Sequence, residues 1–100
     1  MATIVGGYSE TKNATDEIQK YCDQVKHQVE GQTNQKFSAF KAIKYRNQVV
    51  QGMNYLIKIH VHGHSYIHVK VFHNLPCYGG AVELKGVKEK CTKDDPLVSF

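Results

Sequence analysis

The spacing of apolar side chains changes once along this chain, and that change constrains the fold more than any other feature. From Thr15 to Gly31, apolar residues recur at the intervals that place them on one stripe of an α-helix. Thr15 or Asp16 can cap the start of this helix, and Gly31 is a natural stop at its end. The spacing predicts one amphipathic helix of about 16 residues. Its apolar stripe consists of Ile18, Tyr21, Cys22, Val25 and Val29.

Beyond Gly31 the apolar residues alternate with polar ones, which is typical of half-buried β-strands. The alternation predicts about four antiparallel strands, joined by short connections such as a turn at 62–65. In the last strand, Gly86 indicates a bulge that resets the alternation toward Val87. The predicted strands cover residues 37–45, 55–62, 66–72 and 82–87.

The alternation also assigns residues to the two faces of the sheet. In the first strand, Phe37 and Tyr45 share one face, and Phe40 and Ala42 lie on the other. One N-terminal α-helix packed on a four- to five-stranded antiparallel sheet is an α+β fold. Because the helix covers one face, we expect the other face to be in contact with water, which would account for its polar residues.

Length and composition fit a single domain over residues 1–100. Small and polar residues with a Gly6–Gly7 pair precede the helix, so we expect 1–13 to be a flexible arm. No stretch approaches the ~20 apolar residues of a membrane span, and the first residues lack the pattern of a secretory signal. The three cysteines have no Cys-x-x-Cys spacing and indicate free thiols in a reducing compartment. We therefore expect a cytoplasmic domain with no membrane partner.

The charge of the chain is the feature that would favour a nucleic-acid partner. Lysine and arginine together number 13 against nine acidic residues, which gives a formal net charge of +4. The lysines are scattered, however, and Arg46 is the only arginine. The closest lysine cluster, 85–93, is interrupted by Glu89 and followed by Asp94–Asp95. We interpret these charges as a solvated face and expect no nucleic-acid partner.

The sequence holds no arrangement of residues that indicates catalysis. It has no Gly-x-Ser-x-Gly, phosphate-loop or His-Glu-x-x-His motif. Cys22 lies on the apolar stripe of the helix, where a small core residue is a better interpretation than a nucleophile. We expect no enzymatic activity and no cofactor.

The histidines offer an alternative class of function. His60 and His62 share a face of one strand, and His68 lies on the neighbouring strand across a tight turn. Such a group would suit a metal- or pH-responsive binding module. Lys58 and Lys70 alternate with these histidines, and the strands supply no carboxylate to complete a metal shell. We expect surface histidines and no metal site, and keep the histidine-rich module as the alternative.

Apolar residues occur where a hairpin turn would normally have polar ones. The segment 48–52 contains Val49 and Val50, and a second apolar segment begins with Leu75–Pro76. Alternate hairpins of an antiparallel sheet emerge at the same end, so both segments should project from one edge, together with the N-terminal arm. Exposed apolar loops on a small domain mark a partner surface. The alternative is that the two valines pack inward.

Three short motifs carry a resemblance to a known family. They are Gln48-Val49-Val50-x-Gly52, the Asn54-Tyr55 pair that follows, and Leu75-Pro76. Together with an N-terminal glycine they resemble the stefins, the small intracellular cystatins that inhibit papain-like cysteine proteases. The resemblance runs almost end to end and implies a cystatin-like fold. It also includes residues 6–10, Ala14–Thr15, Val71–Phe72 and the ending from Lys93 through Leu97 to Phe100.

This resemblance implies a function and a set of contacts. The chain would be a reversible, tight-binding, competitive inhibitor of papain-like, cathepsin-type cysteine proteases that occludes the active-site cleft. The arm up to Gly6 would lie along the non-primed side of the cleft, with Ile4 and Val5 in its subsites. The first loop would enter beside the catalytic cysteine, and the second would contact the primed side. The implied loop residues are Gln48, Val49, Val50, Gln51 and Gly52 in the first loop and Leu75, Pro76 and Cys77 in the second.

Two positions of the loops bear on how well the stefin pattern applies. Gln51 stands where the family usually has alanine, and Cys77, a thiol open to oxidation, follows Leu75–Pro76. We expect a monomer, with a dimer formed by hairpin exchange as the alternative, because the β-branched Val49–Val50 pair favours extended backbone.

Overall fold

The helix is followed by the long strands, as the change in the spacing of apolar residues predicts. The computed structural model of the chain describes residues 7–98 and 100, with Tyr78 by its backbone alone. Within that part, all the strands form one antiparallel sheet in the order β1-β2-β3-β4-β5. One α-helix packs on it, so the predicted α+β fold is confirmed. The elements are β1 (Lys12–Asn13), α1 (Asp16–Thr33), β2 (Lys41–Val50), β3 (Gly52–His62), β4 (Ser65–His73), a 3₁₀ helix (Pro76–Tyr78) and β5 (Val82–Cys91).

Helix α1 begins as predicted and ends later than predicted. The hydroxyl oxygen of Thr15 accepts a hydrogen bond from the amide of Ile18 at 3.3 Å, which caps the first turn. The predicted stop at Gly31 is wrong, because the helix continues to Thr33. Asn34 adopts the left-handed conformation that ends it, with φ of 57°, and its amide donates to the carbonyl of Glu30. Asparagine is one of the few residues that tolerates this conformation, so it replaces glycine here.

The core lies between the helix and one face of the sheet, called here the near face. The whole predicted helical stripe is buried, and Cys22, Val25 and Val29 have no exposed surface. The alternating residues predicted for the second and third strands are also buried against it. They are Tyr55, Ile57, Ile59 and Val61 on β3, and Ile67, Val69 and Val71 on β4.

The first long strand starts later than the alternation predicts. Phe37 and Phe40 precede β2, and both are buried with their ring centroids 5.6 Å apart. The predicted placement of these rings on opposite faces of one strand is therefore wrong. The amide of Phe37 donates to the Glu30 carboxylate at 3.0 Å, which holds this segment against the helix end. That contact also lowers the pKa of Glu30, because the amide stabilises the charged carboxylate.

Irregularities in the sheet decide which residues face the core. The register of β2 against β3 shifts between Ala42 and Lys44, so Ala42 is buried in the core and Tyr45, three residues on, packs against that core as well. The bulge predicted at Gly86 is confirmed by a register shift between β4 and β5 at that residue. Because of this bulge, Val82, Leu84 and Val87 all contact the core.

The opposite face of the sheet, called here the far face, is not in contact with water along its centre, and the expectation of a wet face is wrong. Leu56 and His68 have no exposed surface there, and Lys58 is 7% exposed. The chain after β5, residues 92–98 and 100, is called here the C-terminal tail. It lies over this face, and its Leu97 is also buried. A segment without regular structure has no periodicity, so the sequence pattern gave no sign of this cover.

Side chains of the far face hold the tail by its backbone. The ammonium group of Lys58 donates to the carbonyl of Lys93 at 2.5 Å, and the guanidinium of Arg46 donates to the carbonyl of Leu97 at 2.6 Å. The Phe100 ring lies against Gly86, since a Cβ added there would be 3.2 Å from it. The molecule is therefore layered as helix, sheet and tail.

Candidate functional site

Three segments of the chain meet at one end of the sheet. The β2–β3 hairpin turns at Gln51, between the paired residues Val50 and Gly52. The connection from β4 to β5 emerges at the same end, because the sheet is antiparallel and these strands follow in order. The N-terminal segment also runs toward this end, since Lys12 pairs with Tyr45 and the amide of Ser9 donates to the carbonyl of Asn47. The sequence prediction of one shared edge is therefore confirmed from Gly7 onward.

The first predicted loop, 48–52, is the tip of a long hairpin. Gln48, Val49 and Val50 still belong to β2, and Gly52 begins β3, which leaves Gln51 alone at the turn. Val49 is 68% exposed and Val50 is 42% exposed. The alternative that these valines pack inward is therefore wrong. The hairpin presents two β-branched apolar side chains to solvent on a fully paired backbone.

Gly52 connects this tip to the neighbouring strand. Its φ is +109°, a conformation that residues with a side chain rarely adopt. A Cβ at this position would lie 2.7 Å from the carbonyl oxygen of His73 and 2.8 Å from Cζ of Phe72. The glycine thus allows the hairpin to touch the end of β4, directly before the second loop.

The second loop is closed by backbone hydrogen bonds. The amide of Asn74 donates to the carbonyl of Ala81 at 2.9 Å, and the amide of Gly80 donates to the carbonyl of Leu75 at 3.0 Å. Leu75 is half-buried, whereas Pro76 and Cys77 are exposed at the start of the 3₁₀ helix. The predicted apolar strand end is thus a compact loop with an exposed proline and thiol at its apex.

Ile4, Val5 and Gly6, the predicted arm contacts, lie outside the described residues. From Gly7 on, the segment lies beside β2: Ser9 forms hydrogen bonds with Asn47 through both its amide and its hydroxyl oxygen. The last part of the predicted arm, Lys12–Asn13, is strand β1. The Lys44 ammonium group donates to the side-chain carbonyl of Asn13. The segment therefore approaches the hairpin tip from an attached position.

The described surface of this edge carries amide and apolar groups rather than charges. The side chains from the hairpin tip and the second loop, described above, are uncharged. The Asn54 amide donates to the Gln48 side-chain oxygen at 2.7 Å, which links the two strands just below the tip. An edge of this kind offers a partner apolar contact and hydrogen bonding, together with the exposed thiol of Cys77.

The cysteines differ in their surroundings. Cys22 has no exposed surface, and burial raises the pKa of its thiol to about 12, so the thiolate needed of a nucleophile is strongly disfavoured. Its interpretation as a core residue is confirmed. Cys91 is also buried, whereas Cys77 is exposed in the second loop.

The histidines are not assembled into one site. The Nε2 atom of His60 is 2.7 Å from the carbonyl oxygen of Gly63, and His68 lies under the tail, opposite Lys58 on the neighbouring strand. His62 is exposed. Within 7–98 and 100, no group of three or more His, Cys, Asp or Glu side chains could hold a metal ion. The expectation of surface histidines is wrong for His68.

Comparison with known proteins identifies the family. The Cystatin domain family matches residues 6–94 of this chain. This chain belongs to the cystatin family. It is 47% identical to cystatin-A1 of Sus scrofa over 95% of this chain and 92% of that protein. It is 45% identical to leukocyte cysteine proteinase inhibitor 1 of Sus scrofa, over 97% and 94% of the two chains. It is 46% identical to stefin-C of Bos taurus, over 96% and 95%.

The family assignment confirms two predictions made from the sequence. The resemblance to the stefins holds over nearly the full length of the chain, and the chain belongs with inhibitors rather than enzymes. Separately, the described part of the chain contains no helix that is long and apolar enough to cross a membrane.

Sequence reasoning missed the residues that support this edge from behind. Arg46 contacts both the N-terminal segment and the C-terminal tail, and Leu97, a residue of that tail, is buried. The one available signal was that Arg46 is the only arginine of the chain. Its partners are backbone carbonyls distant in sequence, which no local pattern reports.

Proposed function

We propose that this protein is a reversible, tight-binding, competitive inhibitor of papain-like cysteine proteases of the cathepsin type. The observation that carries the proposal is the hairpin tip, where Val49 and Val50 are exposed beside the loop of Leu75, Pro76 and Cys77. A relative with 45% identity is named as a cysteine proteinase inhibitor, which supports the same class of function. Inhibition would come from occlusion of the active-site cleft.

The shape of the edge favours tight binding without chemistry. The tip is a paired hairpin that lies against the end of β4 at Gly52. Binding therefore orders little additional backbone. Desolvation of Val49 and Val50 in an apolar cleft favours the complex. The edge need not present a scissile peptide bond to the protease nucleophile, so the inhibitor would remain uncut and would dissociate intact.

The proposed contacts come from three segments. Ile4, Val5 and Gly6 would lie along the non-primed side, the tip residues Gln48–Gly52 would sit beside the catalytic cysteine, and the second loop would contact the primed side. Gln51 would tune the choice of protease, because its amide is larger and more polar than the alanine usual in stefins. Cys77 would place an oxidisable thiol at the interface.

Titration of papain with the purified protein tests this proposal. We expect competitive inhibition below micromolar concentration, recovery of activity after dilution, and an inhibitor of unchanged mass by mass spectrometry. Full papain activity at micromolar protein would refute the proposal. Cleavage of the inhibitor during the assay would refute occlusion.

A matched pair of variants tests the hairpin tip. Val49→Asp should weaken inhibition by roughly 10- to 100-fold, because a charge would have to be desolvated in the cleft. His64→Asp is the control, since His64 is exposed in the β3–β4 turn, at the opposite end of the antiparallel sheet. Equal inhibition constants for the two variants would exclude the tip from the contact.

The proposed partner also implies a setting. We propose that the protein acts in the cytoplasm as a monomer, on proteases that reach that compartment. Fractionation of the source cells with an antibody to this chain measures the distribution, and recovery mainly in a secreted or organelle fraction would contradict the proposed location.

A further inference from the structure

Arg46 joins three parts of the chain that are far apart in sequence. It lies on the far face of β2, opposite Leu56 of β3. Its Nε atom donates to the carbonyl of Ser9 at 2.7 Å, and its Nη1 atom donates to the carbonyl of Leu97 at 2.6 Å. The Tyr8 ring lies with its centroid 5.9 Å from the guanidinium carbon. One side chain therefore holds the N-terminal segment, the hairpin strand and the C-terminal tail together.

The attachment lies directly below the hairpin tip. Arg46 precedes Gln48 by two residues, and Asn47 between them makes two further hydrogen bonds to Ser9. Ser9 is thus held through its amide, its hydroxyl and its carbonyl. The point from which the chain continues toward residues 1–6 is consequently fixed relative to Val49 and Val50.

We propose that Arg46 is a positioning residue that aligns the N-terminal segment with the hairpin tip, so that both enter the protease cleft as one preformed surface. The inference rests on the proposed inhibitory function. A segment held at Tyr8 and Ser9 explores fewer conformations before binding, so the complex loses less conformational entropy. Because the tail carbonyl of Leu97 occupies the other edge of the guanidinium, the tail braces this alignment from behind.

The chemistry of arginine suits this role better than that of lysine. A guanidinium is planar and carries donors in fixed directions, so it can serve the Ser9 and Leu97 carbonyls at the same time. A lysine at position 46 would keep the charge but lose this fork. Arg46→Lys should therefore behave like Arg46→Gln if alignment matters, and like the unchanged protein if only the positive charge matters.

A double-mutant cycle on the full-length chain tests the inference. Ile4→Ser with Val5→Ser removes the apolar side chains of the arm, and Arg46→Gln removes the attachment. We expect Arg46→Gln alone to weaken papain inhibition by roughly tenfold, mainly through faster dissociation. In the Ile4→Ser/Val5→Ser background the same change should weaken it by less than about twofold, because there is no longer an arm contact to align.

The other outcomes are distinguishable. An equal fold-change from Arg46→Gln in both backgrounds would overturn the positioning role, since a loss of general stability or of charge acts in both. Lys41→Gln removes an exposed positive charge from the same strand and should leave inhibition unchanged. If the unchanged protein does not inhibit papain, the proposed function is refuted, and so is the positioning role that rests on it.

A measurement on the free protein keeps the test independent of the protease. Backbone ¹⁵N relaxation should give order parameters of about 0.8 for Tyr8 and Ser9 in the unchanged protein and below about 0.6 in Arg46→Gln. Arg46→Lys, which retains the charge and the aliphatic stem, gives a second variant if Arg46→Gln fails to fold. Order parameters that stay high in the folded variants would overturn the inference.

Discussion

At the scale of single residues, the exposed tip depends on a position that has no side chain. Gly52 has a φ of +109° and lies against the carbonyl of His73 and the ring of Phe72. A methyl group there would strain the backbone and also push the hairpin away from β4. The family motif that ends in this glycine therefore has a local physical reason in this structure.

We predict that Gly52→Ala lowers the free energy of unfolding by about 1–3 kcal/mol, because it combines backbone strain with a steric clash. Gly31→Ala is the matched control, since Gly31 lies inside α1 with nothing within 4 Å of an added Cβ. That change should stabilise the protein by up to about 1 kcal/mol. Urea denaturation of both variants measures the difference, and equal effects would contradict the assigned role of Gly52.

His68 is a second residue whose environment has a measurable consequence. It has no exposed surface, and neither ring nitrogen has a hydrogen-bond partner in the described part of the chain. Burial lowers the pKa of His68 to about 4, with further lowering from the positive charges of Lys58 on β3 and Lys88 on β5. Asp95 of the tail acts in the opposite direction. His68 is therefore neutral when folded at pH values where the unfolded chain would protonate it.

We predict that His68 makes the fold less stable in mild acid. Its pKa falls from 6.5 to about 4 on folding, so the unfolded chain binds the additional proton between these values. The free energy of unfolding should decrease as the pH falls from about 6.5 to about 4, by up to about 3 kcal/mol. The carboxylates with lowered pKa, Glu30 and Asp95, lose their contributions only below their ordinary values of 4.5 and 3.8.

Urea denaturation at several pH values checks this prediction. His68→Leu should remove most of the dependence between pH 6.5 and 4, because it removes the titrating group from the buried site. His64→Gln is the control, since His64 is exposed in the β3–β4 turn, and it should keep the full dependence. An unchanged slope in His68→Leu would show that another group is responsible.

At the scale of elements, the C-terminal tail acts as a third layer. It has no regular structure, yet it covers Leu56 and His68 and is held by Arg46 and Lys58. These buried side chains would otherwise lie on an open sheet face. The tail should therefore contribute to the stability of the fold as a strand or a helix would.

We predict that Leu97→Ala lowers the free energy of unfolding by about 2–5 kcal/mol, because Leu97 is only 4% exposed and its loss leaves a cavity. Its neighbour Val98 is 46% exposed, so Val98→Ala should change stability by less than about 0.5 kcal/mol. Thermal unfolding followed by circular dichroism separates the two variants. Similar melting temperatures would mean that the tail is not a structural layer.

At the scale of the whole molecule, the layers should unfold together. The Cα radius of gyration, 13.3 Å, is that expected of one compact domain of about 100 residues. Helix, sheet and tail share the same central strands, so none of them has a core of its own.

We predict a single calorimetric transition whose calorimetric and van't Hoff enthalpies agree. Light scattering should give the mass of one chain, 11.3 kDa, at all concentrations tested. Two separate transitions would contradict the single domain. A mass about twice as large would support the hairpin-exchanged dimer instead.

Much of this architecture could be predicted because periodicity is local. The stripe from Ile18 to Val29 and the alternation in β3 and β4 identified the helix, the core strands and the shared edge correctly. The errors at the end of the helix occurred because contacts with Glu30, a few residues away, overruled the apolar pattern. Asn34 ended the helix in place of Gly31, and Phe37 bonded to Glu30 instead of joining a strand.

The sequence by itself determined the fold class, the family and the end of the sheet at which the functional segments meet. It did so because amphipathic spacing and short motifs are properties of neighbouring residues. Only the tertiary structure decided that the second sheet face is buried, that His68 is enclosed, and that Arg46 attaches the N-terminal segment to the tail. These features depend on a tail without regular structure that folds back over the sheet. The tail is held through its backbone carbonyls, and because every residue has one, no sequence pattern marks the contact.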